Sequence, residues 1–487
     1  MIENPKIGLF EIFTRDDIYR IHTATLEVLE RTGVRVEEES ALKLLASIGS
    51  DVDLSRRIAK IPQNVVEEAI RNSARTIHFA GRSREDDIRL EGKRVNFGPG
   101  EGATSILDCQ SGIIRPSTKD DTVKAVKLAD ALDTIDFVMP LFTAQDVPKP
   151  VMPLHDLDAA LRNTEKPVMV VDFGLEANYL IDMAAVVAGG RERLKERPLL
   201  GMYSEPVSPL THGKSHVRNL MTFANADLPI VYIPSPACCS TAPATLAGAI
   251  VQSNAETLSG NVIAQFTRKG AKFIYGSDTS LMDQRTGVFS YGCPEWMIFN
   301  LAMAQLGRHY GLPTWSTGGC SDSKILDGQA TFEAGLSLFI AAASGANLIH
   351  DVGSYLNFGL TGSLELLTIC DEMLSMIAYI LRGVEVTDET LAVDIIDKVG
   401  PGGHFITQKH TLEFLKKEHW LPGLFDRQMR NNWVKSGSRD LLKRAGEKTE
   451  QILSAHQPVP LPADVNKELD KTLRRSEKEI LGHQPKT

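Results

Sequence analysis

Cysteine is scarce in this chain: there are six in 487 residues (Cys109, Cys238, Cys239, Cys293, Cys320 and Cys370), and no two stand as a C-x-x-C pair. That excludes a disulfide-stapled scaffold and leaves buried free thiols as the expected state in a reducing compartment. Basic residues are outnumbered, 53 against 62 acids, for a net charge of −9. A sequence-independent nucleic-acid binder needs the opposite balance. Long apolar runs are missing as well. The longest, from Leu336 to Ile349, is interrupted by Ser337, Ser344, Gly345 and Asn347, too short and too polar to span a bilayer. The start, MIENPKIGLFEIFTRDD, lacks the basic region and apolar run of a signal peptide, so a cytoplasmic protein is expected. Gly98, Gly100, Gly318 and Gly319 form neither G-x-G-x-x-G nor a P-loop, which leaves a nucleotide site unsupported. Cys293, Cys320 and His350 are potential zinc ligands, but no pair has the close spacing of a metal site, and no metal is expected.

What is present is material for a large core: 43% hydrophobic and 24% charged residues, ordinary for a soluble globular protein. Eight short apolar runs alternate with helical patterns. The runs are Val95–Glu101, Phe137–Phe142, Val168–Gly174, Leu199–Pro206, Ile230–Pro236, Lys272–Asp278, Thr314–Gly319 and Asn347–Gly353. Each closes on Gly, Pro, Ser, Phe or an acid, as a parallel strand buried on both faces does before opening into a loop. Among the helices, Thr118–Leu132 starts with Thr118 as candidate N-cap and spaces Val123, Val126, Leu128 and Leu132 along one face. Eight βα units predict an α/β fold, a (β/α)8 TIM barrel over residues 95–385. Residues 1–94 read as an N-terminal helical cap with a short polar hairpin turning at Gly81 and Gly92. Residues 386–487 read as a C-terminal helical extension. In it the proline-rich break Gln457–Pro462 leads to a charged helix over Asp464–Glu479, packed on its own barrel or on a neighbouring subunit; a homo-oligomer is expected.

Barrel enzymes place their chemistry at the C-terminal strand ends. Those ends carry Phe97, Gly98, Gly100 and Glu101; Asp172 and Phe173; Tyr203 and Glu205; Tyr232 and Ser235; Tyr275 and Asp278; Trp315; and His350 and Asp351, with Tyr355 and Phe358 following. The set is rich in aromatics and poor in fixed cations. Aromatic faces attract a quaternary ammonium at roughly 0.5–2 kcal/mol each, and Glu205 or Asp278 would add Coulomb attraction. The candidate substrate-binding residues are thus His350, Glu205, Phe97, Tyr203, Tyr275, Trp315, Tyr355 and Phe358. Each has a plainer reading, since aromatics on barrel strands are more often core and a lone histidine is usually structural. Other readings of the same residues are a lyase or hydrolase using Asp172, Glu205, Asp278 and His350 for acid–base chemistry, and a non-catalytic binder of quaternary ammonium compounds.

The run from Gly318 to Ala330, GGCSDSKILDGQA, contains a Ser-Asp-x-x-x-x-Asp-x-Gln signature. With Gly345–His350, the Gly362-Ser363-Leu364-Glu365 segment and Phe97-Gly98-Pro99-Gly100, it resembles the trimethylamine methyltransferase-like family over nearly the whole chain. Founding members of that family carry pyrrolysine in the barrel; here every position is one of the common twenty residues. The chain therefore resembles the branch that demethylates glycine betaine and related quaternary amines. The resemblance implies methyl transfer to the Co(I) of a corrinoid (cobalamin) held by a separate corrinoid protein. It also implies a corrinoid-facing loop at Gly318, Gly319, Ser321, Asp322, Asp327 and Gln329. Glycine betaine would need its carboxylate held, with His350 or the Gly318-Gly319 backbone as candidates.

Overall fold

A computed structural model of the protein describes residues 2, 5, 8–109 and 111–482. It is an α/β fold whose strands fall into several small sheets. One sheet sets Phe273–Ile274, Ile230–Tyr232, Leu200–Ser204 and Val168–Val171 side by side, all parallel. A second sets Trp315–Thr317, Leu348–His350 and Asn96–Phe97 side by side, also parallel. Backbone bonds connect the two. Tyr275 bridges Thr314, Val138 bridges Val168, and the Phe97 carbonyl accepts from Asp136 N at 2.7 Å and Phe137 N at 3.3 Å.

The regular ladders are shorter than the apolar runs that predict them. The run Asn347–Gly353 keeps only Leu348–His350 in strand, and Phe137–Phe142 keeps only isolated bridges. The remaining residues of each run turn out of the ladder, and the site draws on both: Tyr203 and His350 from strand ends, Asp172, Glu205, Asp278 and Asp351 from the residues just beyond.

The helix Lys119–Ala131 starts where expected. Thr118 accepts from Asp121 N while Asp121 accepts back from Thr118 N, a capping box. The helices flanking the parallel strands bury their apolar faces in one large cluster containing Leu154, Leu180, Leu258, Phe299 and Leu366. The opposite, N-terminal ends of the strands are covered by the hairpin Ile77–Phe79 with Ile88–Leu90. Its expected polar character holds on one face only: Ile77, Phe79, Ile88 and Leu90 are buried against Met169, Val231, Ile274 and Leu348. Side chains therefore fill the lower interior, and the upper ends are left to form a cavity.

Beyond Arg382 two short helices, Asp388–Leu391 and Val393–Val399, are separated by the left-handed Ala392 (φ +53). The last helix, Ala463–Gly482, packs on its own chain, with Asp470 2.6 Å from Arg162 and Glu477 2.8 Å from His155. Among the described residues no helix is long and apolar enough to cross a membrane.

Candidate active site

A cavity of about 370 Å³ lies at the C-terminal ends of the parallel strands. Its ionisable lining is Glu101, Asp172, Glu205, Asp278, Asp351, His216 and His350; among the described residues no lysine or arginine lines it. Tyr203, Tyr291, Tyr355 and Phe173 supply aromatic walls. Phe173 and Val207, roughly half exposed, make an apolar rim.

One polar chain crosses the floor. Tyr203 Oη contacts Asp278 Oδ2 at 2.9 Å and also Glu205 Oε1, which accepts from Ser235 Oγ at 2.7 Å. Tyr203 has one proton for two carboxyl groups, so two carboxylates would leave an oxygen lone pair facing an anion. Burial, with the Asp278 charge adding to it, raises the Glu205 pKa, whereas Asp278 is held below the usual range because its own burial is outweighed by His350, Thr317 and Tyr203 together. A proton on Glu205, passed to Tyr203 as a hydrogen bond and from Tyr203 to ionised Asp278, satisfies every group.

His350 closes the chain. Its Nε2 is 2.9 Å from Thr317 Oγ1 and 3.3 Å from Asp278 Oδ2. Its Nδ1 is 3.1 Å from Asp351 Oδ1, close enough for an ion pair but outside hydrogen-bond alignment. Burial opposes the charge on the ring, yet Asp351 and Asp278 together push its pKa up to about 10. The Trp315 ring lies 4.4 Å from it, a further favourable contact for an imidazolium. Both imidazole nitrogens thus face protein groups.

Asp351 itself sits at φ +68, a conformation that costs an ordinary residue energy and that aspartate tolerates better than most. Gly100 explains how it fits. A Cβ there would lie 2.0 Å from Asp351 Oδ1 and 2.9 Å from Tyr355 Oη.

A second histidine stands differently. His216, in the first turn of the helix Lys214–Ala226, places Nδ1 3.1 Å from Asp172 Oδ2. Asp172 is fixed by Ser204 Oγ (2.9 Å), Asn219 Nδ2 (2.8 Å) and Gly174 N (2.9 Å). The bond to Asp172 raises the His216 pKa above its ordinary 6.5. Its Nε2 has no protein partner among the described residues, so in the protonated form, which Asp172 favours, it has a donor to offer a ligand.

Of the residues expected to bind substrate, the fold brings His350, Glu205, Tyr203 and Tyr355 to the cavity. Phe97 and Tyr275 do not line it. Phe97 is core, and Tyr275 donates from its Oη to Asn254 Oδ1 at 2.7 Å within the helical layer. Trp315 backs Tyr203 and His350 without reaching the lining. Phe358 lies outside it, beneath the Lys324 ammonium, 4.1 Å from its ring centroid.

The loop expected to face a corrinoid is tied down internally. Asp322 Oδ1 accepts from Tyr291 N at 2.8 Å, and its Oδ2 accepts from Ser290 Oγ. Glu333 takes Ser321 Oγ (2.6 Å), Asp322 N (2.9 Å) and Gln329 Nε2 (2.9 Å). Asp327 caps the helix Gly328–Ser344. Gly318 and Gly319 pack against the backbone of Ser337 and of Asp351–Gly353.

Tyr291 and His216 lie outside the strand ends. Tyr291 is carried by the loop before the helix Pro294–Tyr310, and His216 by a helix start. No short motif marks either. The segment His212-Gly213-Lys214-Ser215-His216 offers two histidines, and only the fold separates His212, buried against Tyr232 and Ser259, from His216 at the cavity.

Fold and site together define an α/β protein with an acid- and tyrosine-lined cavity at the C-terminal ends of parallel strands. The sequence profile of the family described as Trimethylamine methyltransferase (MTTB) matches residues 2–481, and the chain belongs to that family. Trimethylamine methyltransferase MttB of Desulfitobacterium hafniense is 38% identical over 96% of this chain and 94% of its own length. Glycine betaine methyltransferase of Desulfitobacterium hafniense is 32% identical over 97% and 98%. Among solved structures, monomethylamine methyltransferase MtmB of Methanosarcina barkeri is similar with a TM-score of 0.53 over 98% of this chain and 90% of that one. At 12% identity it speaks for the fold alone.

Proposed function

We propose that this methyltransferase-family protein takes a methyl group from a quaternary amine, glycine betaine first among candidates, and gives it to the Co(I) of a corrinoid carried by a separate protein. We also read its eight parallel segments as one (β/α)8 barrel over residues 95–385, capped by 1–94 and extended by 386–487. The pairings running from Phe97 through Val138, Val168, Thr314 and Leu348 back to Asn96 support that reading. A cytoplasmic setting goes with it.

The observation that carries the reaction is the character of the lining: five carboxyl groups, three tyrosines and a phenylalanine, with two histidines as the only basic side chains among the described residues. A trimethylammonium group has no N–H to donate. It gains from aromatic faces and from the field of nearby carboxylates, not from hydrogen bonds. Breaking one N–CH3 bond leaves the electron pair on nitrogen, so the leaving group is a neutral amine that needs no protonation. The methyl carbon accepts the electron pair of the cobalt nucleophile. The protein's part is to strip water from the cation, hold one N–CH3 bond toward the open rim at Phe173 and Val207, and bind the other end of the substrate. For glycine betaine that end is a carboxylate, and His216 is the group free to meet it. Asp172 favours the charged form of His216, whereas His350 has its Nε2 bonded to Thr317 and its Nδ1 facing Asp351.

The Glu205–Tyr203–Asp278–His350 chain favours a second reading, an acid–base lyase or hydrolase, which would turn over substrate with no corrinoid protein present.

Titration calorimetry tests the cation site. Glycine betaine and choline are expected to bind saturably, and Tyr291→Leu is expected to weaken both several-fold, the contribution of roughly 0.5–2 kcal/mol from one aromatic face. Absence of binding by every quaternary amine tried, in folded protein, would reject the reading.

A further inference from the structure

Between Arg382 and Gly437 the chain has almost no core of its own. Only Leu424 is buried across residues 382–437. The four helices here, Asp388–Leu391, Val393–Val399, Lys409–Glu418 and Arg430–Lys435, bury nothing. Helices of four to ten residues do not hold in water by propensity alone; tertiary packing of an apolar face must sustain them. Yet a dozen large apolar side chains between Val384 and Val434 stand exposed, among them Val384 at 76%, Ile406 at 84%, Leu412 at 78% and Met429 at 79%.

Attachment to the body is confined to the root. Trp420 Nε1 donates to Ser375 Oγ at 2.9 Å, Tyr379 Oη donates to the Glu418 carbonyl, and Glu372 accepts from Leu424 N (2.8 Å) and Phe425 N (3.0 Å). The terminal helix Ala463–Gly482 shows the contrast. It has a charged sequence, yet its Leu469 and Leu473 are buried against the same chain. An apolar surface on the scale of the 382–437 arm is not left to water in a soluble monomer.

The charges of the arm are segregated. Glu385, Asp388, Glu389, Asp394 and Asp397 come before its first lysine, Lys398. From Lys409 onward the balance reverses, with Lys409, Lys416, Lys417, Arg427, Arg430 and Lys435 against Glu413, Glu418 and Asp426. An acidic half followed by a basic half is complementary to itself when turned end for end, which is the relation a two-fold axis imposes.

We propose that residues 382–437 form the interface of a homodimer in which the acidic half of one arm lies on the basic half of the other. A second copy is the occupant because both charge blocks, and the exposed apolar side chains interspersed through them, find their complement in the same sequence. A dozen large apolar side chains with their polar flanks also reach the order of 800 Å² per partner that a standard stable interface buries. The inference is independent of which substrate the cavity takes.

The test uses two full-length triple variants at exposed positions. Asp388→Lys/Glu389→Lys/Asp394→Lys makes both halves basic, and Lys409→Glu/Lys416→Glu/Lys417→Glu makes both acidic. In sedimentation equilibrium the wild type is expected at twice the 53.4 kDa chain mass, or an even multiple of it. Each triple variant is expected at half the wild-type mass with unchanged circular dichroism, and an equimolar mixture of the two at the wild-type mass again. Ile406→Asp, at the most exposed apolar position, is expected to raise the dimer dissociation constant at least tenfold. A monomeric wild type, triple variants that keep the wild-type mass, or folded variants whose mixture stays dissociated would each overturn the proposal.

Discussion

Two histidines face one cavity and their neighbours assign them different work. His350 is held between Asp278 and Asp351 and backed by Trp315, so its charge is spent inside the protein. His216 has its charged form favoured by Asp172 on one side and, when protonated, keeps a donor on the other. Replacing His216 with Asn should weaken glycine betaine by about tenfold, the 1.5 kcal/mol or so of one charge-assisted hydrogen bond, and leave choline, which has no carboxylate, within about twofold. Because the His216 pKa is raised, the carboxylate contact is present in full below its ordinary 6.5 and fades as pH rises through the folded value. The ratio of betaine to choline affinity should therefore fall with rising pH in the wild type and stay flat in His216→Asn. Calorimetry at a series of pH values checks both, and an unchanged ratio in the variant would remove His216 from the substrate. His350, Glu205, Tyr203 and Tyr355 were legible in the sequence because they end strands or follow one. Tyr291 and His216 were not, since a loop and a helix start bring them to the cavity through contacts of long sequence separation.

Elements explain what the Asp322/Asp327/Gln329 signature does for the fold. Asp322 binds the backbone and side chain at Ser290–Tyr291, and Glu333 gathers Ser321, Asp322 and Gln329. A Cβ on Gly292 would sit 2.4 Å from the Glu333 carboxyl carbon, so the loop lies directly on that helix. The signature thus fixes Tyr291 as a wall of the cavity from behind. Asp322→Ala leaves the Tyr291 N–H without its acceptor at a cost of about 1–3 kcal/mol. It should speed hydrogen exchange at that amide and weaken quaternary amine binding several-fold, while Asp322→Asn, which keeps an acceptor, should recover most of the affinity. Retained exchange protection at Tyr291 in Asp322→Ala would show that the loop is held by other contacts. Element types were readable from periodicity: the N-cap at Thr118 and the helix that follows it lie where the pattern puts them. Lengths were less so. Parallel strands buried on both faces and their outgoing loops share the same apolar residues, so the pattern does not mark where the ladder stops. The break at Ala392 carries no sequence signal, because alanine is a strong helix former.

At the scale of the whole molecule, an acid-rich, tyrosine-walled cavity is set above an apolar plug, and a long arm extends from the body with its apolar side chains in solvent. Eight alternating runs made the α/β class legible, and the family signature made the membership legible. The surfaces that meet other macromolecules were not, because docking needs an arrangement in space and leaves no fixed spacing in the chain. The central claim is methyl transfer from a quaternary amine, and one measurement addresses it most directly. The protein is mixed with a reduced corrinoid protein and, in turn, glycine betaine, proline betaine, carnitine, choline and trimethylamine, while the Co(I) absorption is followed. The account predicts loss of the Co(I) band and growth of the methyl-Co(III) spectrum with a quaternary amine, glycine betaine foremost, and no change with trimethylamine. Silence across the quaternary amines with several corrinoid proteins, or methylation from trimethylamine alone, would contradict it.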